Sequence, residues 1–300
     1  MTLFLDQTKV QQLLDLPELI AAMTRALAAF SAGQVVQPVR SVIPVAEHQG
    51  FFGVMPAYTG SLGAKLVTFY SNNRGVPTHH ALILLFRPET GEPLAVMDGT
   101  LITELRTAAV SAAATQVLAP PQASRLGILG SGVQARSHLE ALRLVRPLTA
   151  VRVWSPRNAA AFAREHGIEA VTRAEDAVRD ADLVVVATGS TTPVLSGRWL
   201  KPGSHVNAIG ACRPDWRELE DDLLSGSRLF VDSREAALKE SGDVIAARGI
   251  VAEIGEVFGG KSAGRTSPEE ITLFKSVGLA VEDVVSADLV YQAAIRAGLT

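Results

Sequence analysis

The stretch RLGILGSGVQA, residues 125–135, decides the reading of this chain. It begins as a short apolar strand, passes through a glycine turn and ends as the start of a helix. Gly130 and Gly132 fill the first two small positions of a G-x-G-x-x-G/A pattern, and Ala135 fills the third. Each has a physical task. Gly130 takes a turn that a Cβ obstructs, Gly132 lets the backbone approach a pyrophosphate, and Ala135 lets helix and strand pack closely. The helix N-terminus, with Val133 and Gln134 in its first turn, then offers backbone N–H groups to the anion. Such a turn binds nothing in many proteins, so the context matters.

Downstream the context is alternating βα. The strand VRVW (151–154) follows a helix over 134–144, and a helix over 159–166 leads to a strand at 168–171. DLVVVAT (182–188) reads as a fully apolar parallel strand, ending at Thr188-Gly189, where a cofactor is expected to lie. SHVNAIG (204–210) ends in Gly210, and RLFVD (228–232) precedes a helix over 234–240. About six strands form a doubly wound parallel sheet. After its second strand such a sheet places an acid on the ribose 2′-OH when the cofactor is NAD. This chain has Ser155, Pro156, Arg157 and Asn158 there. A hydroxyl and a guanidinium suit a 2′-phosphate, so NADPH is expected over NADH, with NADH use left open.

Upstream the pattern differs. A helix over 16–31 precedes a mostly antiparallel sheet: an edge strand over 35–45, β-like sequence over 53–70, a polar loop over 71–78, ALILLF (81–86) and a hairpin strand over 94–97. A small-residue helix over 103–118 stops at Pro120-Pro121. Three cations sit oddly here. Arg40 lies among apolar neighbours and either has a partner or faces solvent. Lys65 lies inside a strand, where snorkelling to solvent is the simplest account. Arg106 is placed in the first turn of the 103–118 helix, against the macrodipole. His79 and His80, adjacent in a strand, point to opposite faces and make a poor metal pair. No metal-binding spacing is present. The tail after residue 272 reads as a glycine turn, FKSVGLA, and a helix to about residue 296 that returns to the first domain.

Bulk properties narrow the class. Of 300 residues, 47% are apolar and 20% charged, enough for a sizeable core and against disorder. A net charge of −3 gives no reason to expect nucleic acid or a membrane surface as partner. The one cysteine, Cys212, fits a reducing compartment. The N-terminus lacks a signal-peptide pattern and no apolar run reaches membrane-spanning length, so a cytoplasmic location is expected.

The stretches QPVRSVIPV, GVMPAY, KLVTFY, LAVMDG, RTAAVSAAAT, ILGSGVQA, KPGSHVNAIGACRPDWRELEDDL, VDSREAALKESGD and FKSVGLAVED span almost the whole chain. With them the chain resembles the ornithine cyclodeaminase/mu-crystallin family, nearer its mu-crystallin, ketimine-reductase branch than its cyclodeaminase branch. The resemblance implies a Rossmann domain over 119–278. It also implies an α+β dimerisation and substrate domain over 1–118, joined by the C-terminal helix at about 279–300, and a homodimer. Arg40, Lys65 and Arg106 match the positions where the family clamps a substrate carboxylate above the nicotinamide. Thr78 and His79 match positions near cofactor and ligand, and Arg106 and Thr107 stand on the cofactor side. Cys212 stands where cyclodeaminases carry the Asp that handles the distal amine of ornithine, which argues against cyclisation of ornithine and makes Cys212 a substrate-side residue.

The expected reaction is NADPH-dependent reduction of a small cyclic imine carboxylate, a piperideine- or pyrroline-2-carboxylate. Hydride goes to the imine carbon, and Lys65 or a bound water supplies the proton. Arg40 and Arg106 lower the Lys65 pKa for that role. Two alternatives stand beside it: an alanine-type amino-acid dehydrogenase, and a non-catalytic protein that binds NADPH and a hydrophobic carboxylate such as an iodothyronine.

Overall fold

A computed structural model describes residues 2–299. The chain divides into two compact units. One runs to Arg106 and resumes at Gly278; the other is Thr107–Val277. The division falls within a helix that the sequence reading gave whole to the first domain.

The first unit opens with strand β1 (Leu3–Leu5), helix α1 (Gln7–Leu13) and helix α2 (Leu16–Ser31). Helix α2 forms because Asp15 caps it, accepting from the Glu18 N–H at 2.8 Å, and Pro17 presets its first turn. Its buried stripe is Leu19, Ile20, Met23, Ala26 and Leu27. Strands β2 (Ser41–Val45), β3 (Gly50–Tyr58), β4 (Leu62–Tyr70), β5 (His79–Phe86) and β6 (Pro93–Asp98) follow. They form one sheet in the order β1-β6-β5-β4-β3-β2, antiparallel except for the β1–β6 pair. The edge strand is shorter than expected. Residues before Ser41 contribute only a bridge from Val36 to Tyr58.

Helix α3 (Gly99–Leu118) begins four residues earlier than the sequence reading placed it. Asp98 is the reason: its Oδ1 accepts from the Leu101 N–H at 2.8 Å, an N-cap that the reading missed. Arg106 therefore lies two turns into the helix, not in its first turn, and the macrodipole argument for its oddity lapses.

The second unit carries β7 (Arg125–Leu129), α4 (Val133–Val145), β8 (Ala150–Trp154), α5 (Ala159–His166), β9 (Glu169–Ala170), α6 (Ala174–Val178), β10 (Leu183–Val186) and β11 (His205–Ala208). Then come α7 (Asp221–Gly226), β12 (Ser227–Val231), α8 (Arg234–Glu240), α9 (Gly242–Ala246), β13 (Ala252–Glu253), α10 (Ile254–Phe258) and β14 (Ile271–Lys275). The sheet has eight strands in the order β13-β12-β14-β11-β10-β7-β8-β9, all parallel. The sequence reading found about six. It missed the two-residue β13, and it took β14, which runs between β11 and β12, for part of a turn. Strand order reverses between β7 and β10, and ligands of doubly wound sheets bind outside the carboxyl ends of the strands at such a point.

Helix α11 (Ala280–Arg296) completes the first unit. It packs on α2 and on strands β3, β4 and β5. Its first turn buries Glu282 and Asp283 completely, two acids on a helix packed against a mostly apolar sheet face. Among the described residues no helix is long and apolar enough to cross a membrane.

Candidate functional site

In the first unit, one face of the sheet carries the row Leu5, Met97, Ile83, Lys65 and Met55, set side by side by strand register. Four are apolar and buried. The fifth, Lys65, is 2% exposed, so it does not snorkel. Its Nζ lies 2.7 Å from Asp283 Oδ2. Taking an ammonium out of water is costly unless it is paired, and α11 supplies the pair.

Arg106 shares that partner. Its Nε donates to Asp283 Oδ1 at 3.0 Å and its Nη1 donates to Glu282 Oε2 at 2.7 Å. A guanidinium held by two acids has its plane fixed. Arg40 joins through the backbone, its Nη2 donating to the Gly278 carbonyl at 2.6 Å. Gly278 has φ +80, and a Cβ there would run into the Arg106 guanidinium. One glycine therefore holds one arginine by its carbonyl and makes room for the other.

Three cations and two acidic side chains thus gather in one place, with one formal positive charge in excess. Burial lowers the Lys65 pKa to about 8; Arg106 and Arg40 push the same way, and Asp283 resists. Lys65 remains mostly protonated at neutral pH. Asp283 is held below the ordinary carboxyl range: burial opposes this, and the charges of Lys65 and Arg106 overcome it. His79 starts β5 and is brought down to about 4, by burial first and then by Lys65 and Arg106, so it is neutral at pH 7. The structure therefore brings together Arg40, Lys65, His79 and Arg106. Thr78 is exposed at the edge of the group, its carbonyl accepting from the Tyr70 N–H at 2.8 Å. Glu282 and Asp283, which organise the group, were missed. The only signal was two adjacent acids in the otherwise apolar VGLAVEDVV, residues 277–285.

In the second unit, the carboxyl ends of four neighbouring strands carry the other predicted residues except Thr107, which lies in α3. Gly130 follows β7 with φ +121, and a Cβ on it would overlap the Ala187 carbonyl beyond β10. Its N–H donates to the Trp154 carbonyl at 2.8 Å. Gly132 caps α4 and has nothing within 4 Å of where a Cβ would stand. That cradle lies in front of the first N–H groups of α4, including those of Val133 and Gln134, which no intrahelical carbonyl can satisfy. Gln134 also keeps its Oε1 buried without a hydrogen-bond donor. Ala135 is fully buried. A dinucleotide pyrophosphate fits this donor set and this gap.

After β8, the Ser155 hydroxyl is within 2.8 Å of the Ser131 hydroxyl and accepts from the Asn158 N–H at 3.1 Å. It shapes the loop, and Arg157 is exposed on it. Thr188 and Gly210 follow β10 and β11. Cys212 is exposed just beyond, its Sγ 3.4 Å from the Ile209 carbonyl oxygen. Thr107, first residue of this unit, is 8% exposed. Among the described residues no group of three His, Cys, Asp or Glu is arranged to hold a metal ion.

The chain is similar to known proteins over most of its length. The chain is 51% identical to the ketimine reductase mu-crystallin of Mus musculus over 286 residues, covering 91% of each. It is similar to the Delta(1)-pyrroline-2-carboxylate reductase of Thermococcus litoralis, solved with NADH and L-proline: TM-score 0.95, 39% identity, 99% of this chain and 98% of that one. An archaeal alanine dehydrogenase dimer with bound NAD gives a TM-score of 0.93 at 37% identity over 99% and 97% of the two chains. The ornithine cyclodeaminase/mu-crystallin family matches residues 1–298, and the chain belongs to that family.

Proposed function

We propose that this protein reduces small cyclic imine carboxylates with NAD(P)H. The first unit is the substrate domain and the second the dinucleotide-binding domain. One observation carries the reading. Lys65, buried and proton-bearing, stands with two arginines in a group with one formal positive charge in excess, in a chain half identical to a ketimine reductase. A single substrate carboxylate balances that charge.

Held at the Gly130–Gln134 turn, a dinucleotide would supply hydride for the carbon of the C=N bond. The chain supplies orientation and a proton. Arg40 and Arg106 grip the carboxylate, and the fixed plane of Arg106 sets its angle. Lys65 Nζ donates its proton to the imine nitrogen, because a protonated imine accepts hydride far better than a neutral one. Asp283 keeps Lys65 protonated at working pH. Neutral His79 adds a hydrogen-bonding ring without adding charge. Water exclusion follows from the depth at which Lys65 and Arg106 lie.

The finer assignments rest on single features. The exposed Arg157, with no acid after β8, supports NADPH over NADH. The thiol of Cys212 supports imine reduction over ornithine cyclisation. A homodimer is supported by exposed Phe4, Leu82 and Ile43, all on the sheet face opposite Lys65. A cytoplasmic setting is supported by the exposed free thiol. The likeness to an alanine dehydrogenase favours a second reading, oxoacid with ammonia as substrates. The test follows NADPH absorbance with a cyclic imine carboxylate, with pyruvate plus ammonia, and with neither. The proposal expects fast oxidation only with the imine.

A further inference from the structure

Beneath the strand ends of the second unit lies a charge cluster that the reaction itself does not use. Glu218 and Lys275 are both fully buried, and Asp243 is fully buried beside them. Glu218 Oε1 accepts from the Thr188 N–H at 2.9 Å and from the Thr188 hydroxyl at 2.6 Å. The Thr188 hydroxyl in turn accepts from the Ser190 N–H at 3.1 Å. The Glu218 carboxylate also presses on Gly210, where a Cβ would overlap it. Lys275, the last residue of β14, donates from Nζ to the Gly210 carbonyl. Its Nζ lies 4.0 Å from Glu218 Oε2 and 3.9 Å from Asp243 Oδ2. Asp243 accepts from the N–H groups of Glu218 and Leu219, both at 3.1 Å.

Thr188 lies two residues beyond β10, which borders the strand-order reversal, and Gly210 two residues beyond the neighbouring β11. Burying a Glu–Lys pair there is expensive, and such pairs seldom add stability over apolar packing. Its geometry has a different product: two neighbouring strand ends are fixed by one carboxylate and one ammonium. We propose that Glu218 and Lys275 are positioning residues for the nicotinamide half of the dinucleotide, acting through Thr188 and Gly210. This rests on the dinucleotide-binding reading of the second unit.

The cluster also titrates near neutrality. Burial raises Glu218 to about 7, against the pull of Lys275 and the Thr188 hydrogen bonds, with Asp243 pushing the same way as burial. Asp243 is raised as well, by burial first, with Lys275, its two backbone donors and Arg217 opposing. Arg217 Nε lies 3.8 Å from Asp243 Oδ1. A proton on Glu218 weakens the acceptor that holds Thr188, so nicotinamide binding loosens as pH falls through about 7.

The test compares NADH with ADP-ribose, which shares every group but the nicotinamide. Neither carries a 2′-phosphate that titrates in this range. Dissociation constants are measured by titration of the full-length protein between pH 6 and 8. Glu218→Gln is expected to weaken NADH about five- to tenfold, the value of a charge-assisted hydrogen bond reduced to a neutral one, and to leave ADP-ribose unchanged. The wild type is expected to show an inflection in NADH affinity near pH 7 that this variant lacks. Lys275→Met, a second variant, removes the charge that holds the Glu218 pKa down and moves the inflection to higher pH. Equal losses for both ligands, no loss for either, or an inflection unchanged in the variants overturns the proposal. Failure of wild-type protein to bind ADP-ribose at all overturns the dinucleotide reading, and this proposal with it.

Discussion

Lys65 and Asp283 form a buried ion pair 2.7 Å long, with side chains 2% and 0% exposed. The lysine comes from the middle of β4 and the aspartate from the first turn of α11. Asp283 raises the pKa of its partner while burial, Arg106 and Arg40 lower it, and the balance stands at about 8.

This balance sets an alkaline limit on turnover. Lys65 must carry its proton to act, so kcat/KM for a cyclic imine carboxylate should fall as pH rises through about 8. In Asp283→Asn the raising charge is gone, and the limb should move to lower pH. A pH–rate profile of both proteins checks this. An alkaline limb at the same pH in the variant would show that Lys65 is not the titrating group.

The arginines should separate from the lysine in kinetics. Arg40→Ala removes a charge-assisted contact to the substrate carboxylate, an effect of about ten- to hundredfold, chiefly in KM. Lys65→Ala removes the proton donor and should lower kcat by about 10²- to 10⁴-fold. Steady-state kinetics with one imine substrate measures both. Unchanged kcat/KM in both variants discards the clamp.

The two glycines of the turn should fail differently. Gly130→Ala places a side chain at φ +121 against the Ala187 carbonyl, at a cost of about 1–3 kcal/mol for the backbone alone. It should lower Tm and abolish dinucleotide binding together. Gly132→Ala meets no protein atom within 4 Å, so it should keep stability within about 1 kcal/mol, the difference between these residues at a helix cap. It should still weaken NADH, because the methyl enters the space assigned to pyrophosphate. Thermal melts and NADH titration read both. Full NADH affinity in Gly132→Ala would remove the pyrophosphate from that place.

Acid should destabilise the fold through two histidines outside the site. His138 donates from Nδ1 to the Gln134 carbonyl at 2.7 Å, and its Nε2 lies 2.9 Å from the Ser111 hydroxyl. His205 lies between Thr272 and Asn207, at 2.9 and 3.3 Å. Burial lowers them to about 4 and about 3. Below pH 6.5 the unfolded chain takes up protons that the folded chain refuses, so stability falls as pH falls. By pH 5 each costs about 2 kcal/mol. Melting curves from pH 7 to pH 5 should show the loss, and His138→Gln should lose less over the same range. An identical loss in that variant would assign the acid sensitivity elsewhere.

What was legible in the sequence was local or energetically odd. The Gly130 turn could be read because its demands fall on a few consecutive residues. Arg40 and Lys65 stood out as cations in apolar stretches, but the residues alone gave them no shared role with Arg106; the resemblance to a family did. Their partners could not be read. Asp283 meets Arg106 across 177 positions of sequence, and no pattern along the chain announces such a meeting. Without its counter-ion, Lys65 was most simply sent to solvent. Strand β14 was hidden for a related reason: a buried parallel strand has no alternation, and its apolar residues merge into the glycine turn and helix that follow. The start of α3 was missed because Asp98 ends one strand and caps the next helix, serving two elements at once.

The central claim is that Arg40, Lys65 and Arg106 serve reduction of a cyclic imine next to its carboxylate. The most direct measurement is NADPH oxidation by wild type, Arg40→Ala and Lys65→Ala, with Δ1-pyrroline-2-carboxylate and Δ1-piperideine-2-carboxylate as substrates. The account predicts rapid imine-dependent oxidation by the wild type, the same oxidation only at much higher imine concentration in Arg40→Ala, and its loss in Lys65→Ala. Oxidation with pyruvate and ammonia but with neither imine, or full imine activity in the Lys65 variant, would contradict it.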